Sequence, residues 1–110
     1  MEQTIVDPNI LKEIVRRLIA AVDPDRIILF GSHARGDAGP DSDLDLLIVK
    51  DTDQTGYRRS IQAYRALSGL GVAKDIIWRT AAELEDWSHV ATYVTTRALR
   101  EGKVLYEKRI

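Results

Sequence analysis

Two short apolar runs flank a polar segment dense in turn formers, and this arrangement constrains the fold more than any other feature of the chain. The first run, Arg26-Ile27-Ile28-Leu29-Phe30, is rich in β-branched residues and reads as a central strand. The second, Leu44-Asp45-Leu46-Leu47-Ile48-Val49, reads as another strand of the same kind. Between them, residues 37–42 run Asp-Ala-Gly-Pro-Asp-Ser, a composition that turns the chain and cannot continue either element. Two neighbouring strands joined by one polar loop are therefore expected.

The remaining segments supply helices and a third strand. Asp7-Pro8 can cap and begin a helix, because Asp accepts from free backbone N–H groups and proline needs no donor at the first helical position. Ile10, Leu11, Ile14, Val15, Leu18, Ile19 and Val22 then recur at three- and four-residue steps, and Asp23-Pro24 ends the helix. A second helix is expected over 55–70, with Gly69 and Gly71 as stops, and a third strand over 72–78. Thr80 followed three residues on by Glu83 is a capping-box signature for a further helix, which breaks near Ser88. Residues 91–101 read as helical up to Gly102, and 104–106 as a last edge strand or a docked tail. The class is α/β (α+β), and 110 residues are enough for a single domain, 1–110, with one core.

Composition narrows the functions. A formal net charge of -1 provides no overall field for nucleic acid or anionic lipid, so neither is an expected partner. With no cysteine, the chain has no disulfide, thiolate metal site or cysteine nucleophile. No apolar run approaches membrane-spanning length and the start lacks a signal-peptide pattern, so a cytoplasmic location is expected.

The chemistry lies between Gly31 and Asp45. Glycine at a strand end lets the backbone approach a ligand closely, and the residues after it can open a helix whose free N–H groups attract phosphate. Ser32 adds a hydroxyl. Asp43 and Asp45 are two apart on the expected strand, so they share a face while Leu44 and Leu46 point into the core. Carboxylates about 4 Å apart repel by about 4 kcal/mol at an effective dielectric near 20, and a divalent cation resolves that repulsion. Oxygen ligands suit Mg2+, or Mn2+ in its place, together with substrate phosphates. A third carboxylate would complete a site for two ions. Asp75, early in the third strand, is the candidate and would also serve as general base.

Other residues carry plainer expectations. Arg35 is open between steadying phosphates and pairing with Asp37, Asp41 or another acid. His33 is expected on a loop or helix surface, Asp41 and Ser42 in the turn, and Arg58, Arg59 and Arg65 on a solvated helix face. Trp78, Trp87 and Tyr93 are expected as core or interface anchors. The spacing of Tyr57, Tyr64, Tyr93 and Tyr106 marks none as a modification site.

Gly31-Ser32 followed after ten residues by Asp43-Leu44-Asp45, within the fuller Gly-Ser-x-Ala-Arg-Gly and Ser-Asp-x-Asp-Leu patterns, resembles the DNA polymerase β-like nucleotidyltransferase superfamily. The chain is most similar to its minimal nucleotidyltransferase (MNT) family, and the likeness runs nearly to its end, including Glu101-Gly102-Lys103-Val104-Leu105-Tyr106. The resemblance implies a small mixed β-sheet flanked by helices, with ATP as substrate and AMP transferred with release of pyrophosphate. It implies that Asp43, Asp45 and Asp75 hold Mg2+ and carry catalysis, and that Gly31 and Ser32, with Arg35 beside them, hold the triphosphate. Family members act as antitoxins of HEPN-type helical toxins by AMPylation of a tyrosine, so such a toxin is the implied partner. Two alternatives stay open: a non-catalytic binding antitoxin, and transfer to a small molecule or a nucleic-acid end.

Overall fold

The protein is described by a computed structural model covering residues 6–87 and 98–109. Helix α1, Pro8–Val22, begins as its sequence dictates, with the Asp7 side chain accepting from the Asn9 N–H at 2.9 Å. It stops at Asp23, which takes a left-handed conformation, φ 47°, and donates its N–H to the Ile19 carbonyl. Strand β1, Arg26–Phe30, leads into a single helical turn, α2, Ser32–Arg35. Strand β2, Leu44–Val49, is followed by a 3-10 segment, Gly56–Ser60, and helix α3, Ile61–Ala66. Strand β3, Lys74–Arg79, helix α4, Ala81–Trp87, and strand β4, Lys103–Glu107, complete the order.

The four strands form one mixed sheet in the order β3-β2-β1-β4. β1 pairs antiparallel with both β2 and β4, while β3 lies parallel to β2. A parallel pair needs a crossover, and the segment carrying α3 supplies it. The two central strands are covered on both faces, which explains why β2 is an almost unbroken apolar run rather than an alternating one. One face carries Ile27, Leu29, Leu44, Leu46, Ile48, Ile76 and Trp78 and packs on Ile14 and Leu18 of α1 and Ala63 and Leu67 near α3. The other carries Ile28, Phe30, Leu47 and Val49, with Ile77, and is covered by Leu84 of α4 and by Ala98.

The helix expected over 55–70 is shorter than its sequence pattern. No side chain caps it at Thr55, and Arg59 is drawn into tertiary contacts instead. The Arg59 Nε donates to the Gln54 carbonyl at 2.7 Å and its Nη1 to Glu83 at 2.5 Å, so these pairs override regular helix at the start. Arg59 therefore departs from the solvated face expected for it, whereas Arg58 and Arg65 are exposed. The helix stops at Ala66, ahead of the expected stops Gly69 and Gly71, which take φ of 83° and 71° in the segment that follows.

The capping box at Thr80 and Glu83 is present in both directions, with N–H donations of 2.8 and 3.1 Å. β3 starts two residues later than expected and runs one further. The expected tail over 104–106 is an edge strand. Trp78 is a core anchor whose Nε1 donates to the Lys50 carbonyl at 2.8 Å. The side chain of Trp87, Tyr93, the break near Ser88 and most of the helix over 91–101 lie outside the described residues; 98–101 is helical. Among the described residues, no helix is long and apolar enough to cross a membrane.

Gly102 turns the chain onto β1 at a point with no room for a side chain. A Cβ there would stand 2.2 Å from the Ala98 carbonyl oxygen and 2.4 Å from a methyl of Ile28. Gly102→Ala must move backbone, and a loss of about 1–3 kcal/mol is expected from the urea midpoint, as for other overpacked sites.

Candidate functional site

The end of β1 and the starts of β2 and β3 meet at one end of the sheet, because β2 runs against β1 and alongside β3. Phe30 of β1 is in register with Asp45 of β2, and Asp45 with Asp75 of β3. Side chains alternate along a strand, so Asp45 shares its face with Leu47 and Val49, and Asp75 shares its face with Ile77. The sheet face packed on α4 thus ends in a row of carboxylates, beyond the cover that Leu84 and Ala98 provide. Asp43 sits one residue outside β2, exposed, rather than within the strand as expected.

Gly31 explains itself twice. Its φ of 73° lies where L side chains rarely go, and a Cβ there would meet Asp45 Oδ2 at 2.1 Å. The Asp45 carboxylate occupies the space that a side chain at position 31 would fill. The glycine turn and the acid are therefore packed against each other, not merely neighbours. After Gly31 the chain makes one helical turn, with the Ala34 and Arg35 N–H groups donating back to the Gly31 carbonyl at 3.1 and 3.0 Å. Ser32, the first residue of that turn, is half-buried.

Electrostatics record the crowding. Asp45 has its carboxyl pushed above the ordinary aspartate range, first by burial, then by the charge of Asp75 and that of Asp43, with His33 and Arg35 pulling the other way. Like charges on neighbouring strands are the part of this that a cation would relieve. Among the described residues, however, no three Asp, Glu, His or Cys side chains form a ready-made metal cluster.

Two residues given other roles from sequence belong to this end of the sheet. The His33 Nε2 lies 3.1 Å from the Ser42 carbonyl, and since a carbonyl only accepts, this nitrogen carries the proton. The bond ties the turn after Gly31 to the residue before Asp43. The other ring nitrogen, Nδ1, is buried without a partner. Ser42 shapes the turn as expected, its Oγ accepting from the Gly39 N–H at 2.9 Å. Tyr64 of α3 places its hydroxyl at the outer edge of β3, accepting from the Ile76 N–H at 2.9 Å and donating to Asp75 Oδ1 at 3.4 Å. Spacing gave no sign of either contact, because each joins elements brought together only by the sheet.

The Arg35 guanidinium makes the acid pairs expected as one of its two roles, bonding Asp37 at 3.2 Å and Glu101 at 3.5 Å. It thereby joins α2 to the helical end before β4. A cleft of about 600 Å³ lies on the other side of this loop, lined among others by Ile10, His33, Pro40, Leu44 and Val72.

Comparison with known proteins bears on the family and the fold. The nucleotidyltransferase domain family matches residues 9–104. Over a 28-residue stretch the chain is 64% identical to MJ0604 of Methanocaldococcus jannaschii, by name a candidate protein adenylyltransferase; the match spans 26% of this chain and 28% of that one. The fold is that of a chain in a toxin–antitoxin crystal structure with AMP-PNP, at TM-score 0.67 and 21% identity over 90% of this chain and 74% of that one. It is also that of a chain in the tri-AMPylated HEPN toxin of Shewanella oneidensis in complex with an MNT antitoxin, at TM-score 0.57 and 18% identity over 91% and 71%.

Because the raised Asp45 carboxyl resists ionising in the folded protein, it carries no charge cost below the ordinary aspartate range, where it is protonated folded or unfolded, and opposes folding increasingly as pH rises from that range to the raised value. In the presence of EDTA, Asp45→Asn should raise the thermal midpoint at neutral pH, and this gain should shrink toward zero as the pH falls below that range.

Proposed function

Because the chain belongs to the nucleotidyltransferase domain family, we propose that it is a magnesium-dependent adenylyltransferase that moves AMP from ATP to a hydroxyl of a partner protein. We read the partner as a HEPN-type helical toxin, the acceptor as one of its tyrosines, and the result as neutralisation of the toxin. The observation that carries this reading is the packing of Asp45 into the space left by the missing side chain of Gly31, with Asp75 in register beside it. A glycine turn of this kind suits the backbone grip on a phosphate chain, and the acids next to it suit the charge of that chain's counterions.

The donor set fits magnesium. Asp43, Asp45 and Asp75 offer only oxygen, and magnesium characteristically takes one or two carboxylates together with substrate phosphates rather than a complete protein cage. Asp43 and Asp45 would hold the ion with the triphosphate, and Asp75 would stand as the third acid. When bound, magnesium supplies neutralisation of the charge that develops on the phosphoryl oxygens.

The chain's own residues would then act as follows. Gly31 and the turn from Ser32 hold the β- and γ-phosphates, which orients the α-phosphorus for in-line attack. Asp75 accepts the proton of the acceptor hydroxyl as that oxygen bonds to the α-phosphorus, and the bond to the bridging oxygen breaks to release pyrophosphate. His33 keeps the glycine turn and the loop ahead of Asp43 in one arrangement through its bond to Ser42. Arg35, held by Asp37 and Glu101, stiffens the same turn and can lend positive charge to the phosphates.

Support for a protein acceptor comes from the relatives. One of them is named for protein adenylyl transfer, and two neighbours of the same fold are toxin–antitoxin complexes, one with AMP-PNP and one with an AMPylated toxin. Incubation of the purified chain with α-labelled ATP, Mg2+ and a HEPN protein encoded beside it should label that protein. The double variant Asp43→Ala, Asp45→Ala should lose essentially all transfer. A double variant that neutralises the toxin as well as wild type would instead make contact, not catalysis, the source of protection.

A further inference from the structure

We propose that Tyr64 is the positioning residue of the third acid, holding the Asp75 carboxylate beside Asp45. This inference rests on the site proposed above but not on the identity of the acceptor. β3 is an edge strand, so the N–H groups on its outer side have no strand to pair with. The Ile76 N–H faces that side and is satisfied by the Tyr64 hydroxyl oxygen at 2.9 Å. A phenol has one proton, and with its oxygen fixed by the amide that proton points to Asp75 Oδ1 at 3.4 Å. Asp75 is otherwise exposed near the start of an edge strand, where a short side chain would sample several rotamers.

The orientation selected is the useful one. In the conformation that accepts from Tyr64, Asp75 stays in register with Asp45 on the neighbouring strand, on the same face of the sheet. The contact is long for a hydrogen bond, and bonds between groups of this kind tighten when the site is loaded. Tyr64 itself is anchored from behind, because α3 packs Ala63 into the core on the opposite face of the sheet. The tyrosine therefore reaches round the sheet edge from a rigid element, which lets a helix on one face set a carboxylate on the other. Carboxylate ligands held by such partners commonly lose about 10–100-fold in metal affinity or activity when the partner is removed.

The test uses Mn2+ alone as probe, without nucleotide or acceptor, with free Mn2+ counted by electron paramagnetic resonance. Tyr64→Phe keeps the ring and removes only the hydroxyl. It should weaken Mn2+ binding by roughly tenfold, the lower end for such partners because the contact is long. In an Asp75→Asn background the same change should have no further effect, since the hydroxyl acts through the carboxylate. Amide exchange at Ile76, read in parallel, should quicken in Tyr64→Phe while the exchange of Leu46 stays unchanged, separating a local release from general unfolding. Wild-type Mn2+ affinity in Tyr64→Phe, or an equal loss in the Asp75→Asn background, overturns the proposal. A chain that binds Mn2+ as described but transfers no AMP would overturn the proposed function and leave this positioning role standing.

Discussion

The structure turns on one contact, between the Asp45 carboxylate and the bare Cα of Gly31. Two constraints meet there: a backbone conformation that favours glycine, and a side-chain oxygen filling the volume a Cβ would need. Because Gly31 ends β1 and Asp45 lies near the start of β2, the antiparallel pairing of these strands is what brings the two together. Everything else at this end of the sheet is arranged around that pair. Asp75 joins through the parallel pairing of β3 with β2, His33 fastens the glycine turn to the loop ahead of Asp43, and Arg35 braces the turn against Glu101.

The site is assembled against electrostatic preference. A carboxylate partly removed from water and facing two others is pushed toward its neutral form, and nothing in the core requires it to be there. The fold tolerates it because the central strands are buried on both faces along the rest of their length, with α1 and α3 on one side and α4 on the other. Local cost at one position, offset by packing elsewhere, is what makes Asp45 a candidate functional residue.

Much of this was legible in the chain. The two apolar runs, the helix opened by Asp7-Pro8, the capping box at Thr80 and the edge strand after Gly102 all form as local chemistry dictates. The helix over 55–70 did not, because Arg59 is claimed by Glu83 and by the Gln54 carbonyl, partners that periodicity cannot see. Asp43, expected on a strand, lies just outside it, since the pairing partner of β2 begins only at Lys74. His33 and Tyr64 carry only the pattern of surface and helix residues. Their partners lie nine residues away and across the sheet edge, at distances set by the fold alone.

The sequence by itself determined which atoms gather at this end of the sheet: carboxylate oxygens from three aspartates, a glycine at the end of β1, and a hydroxyl after it. These follow from residue type and from the period-two geometry of a strand, which are local properties. Only the tertiary structure decided how those atoms stand to one another. Strand order and direction put Gly31 against Asp45 and Asp45 beside Asp75, and a crossover helix delivered Tyr64 to the sheet edge. Such relations depend on pairing between segments far apart in the chain, and that is information no short stretch of residues contains.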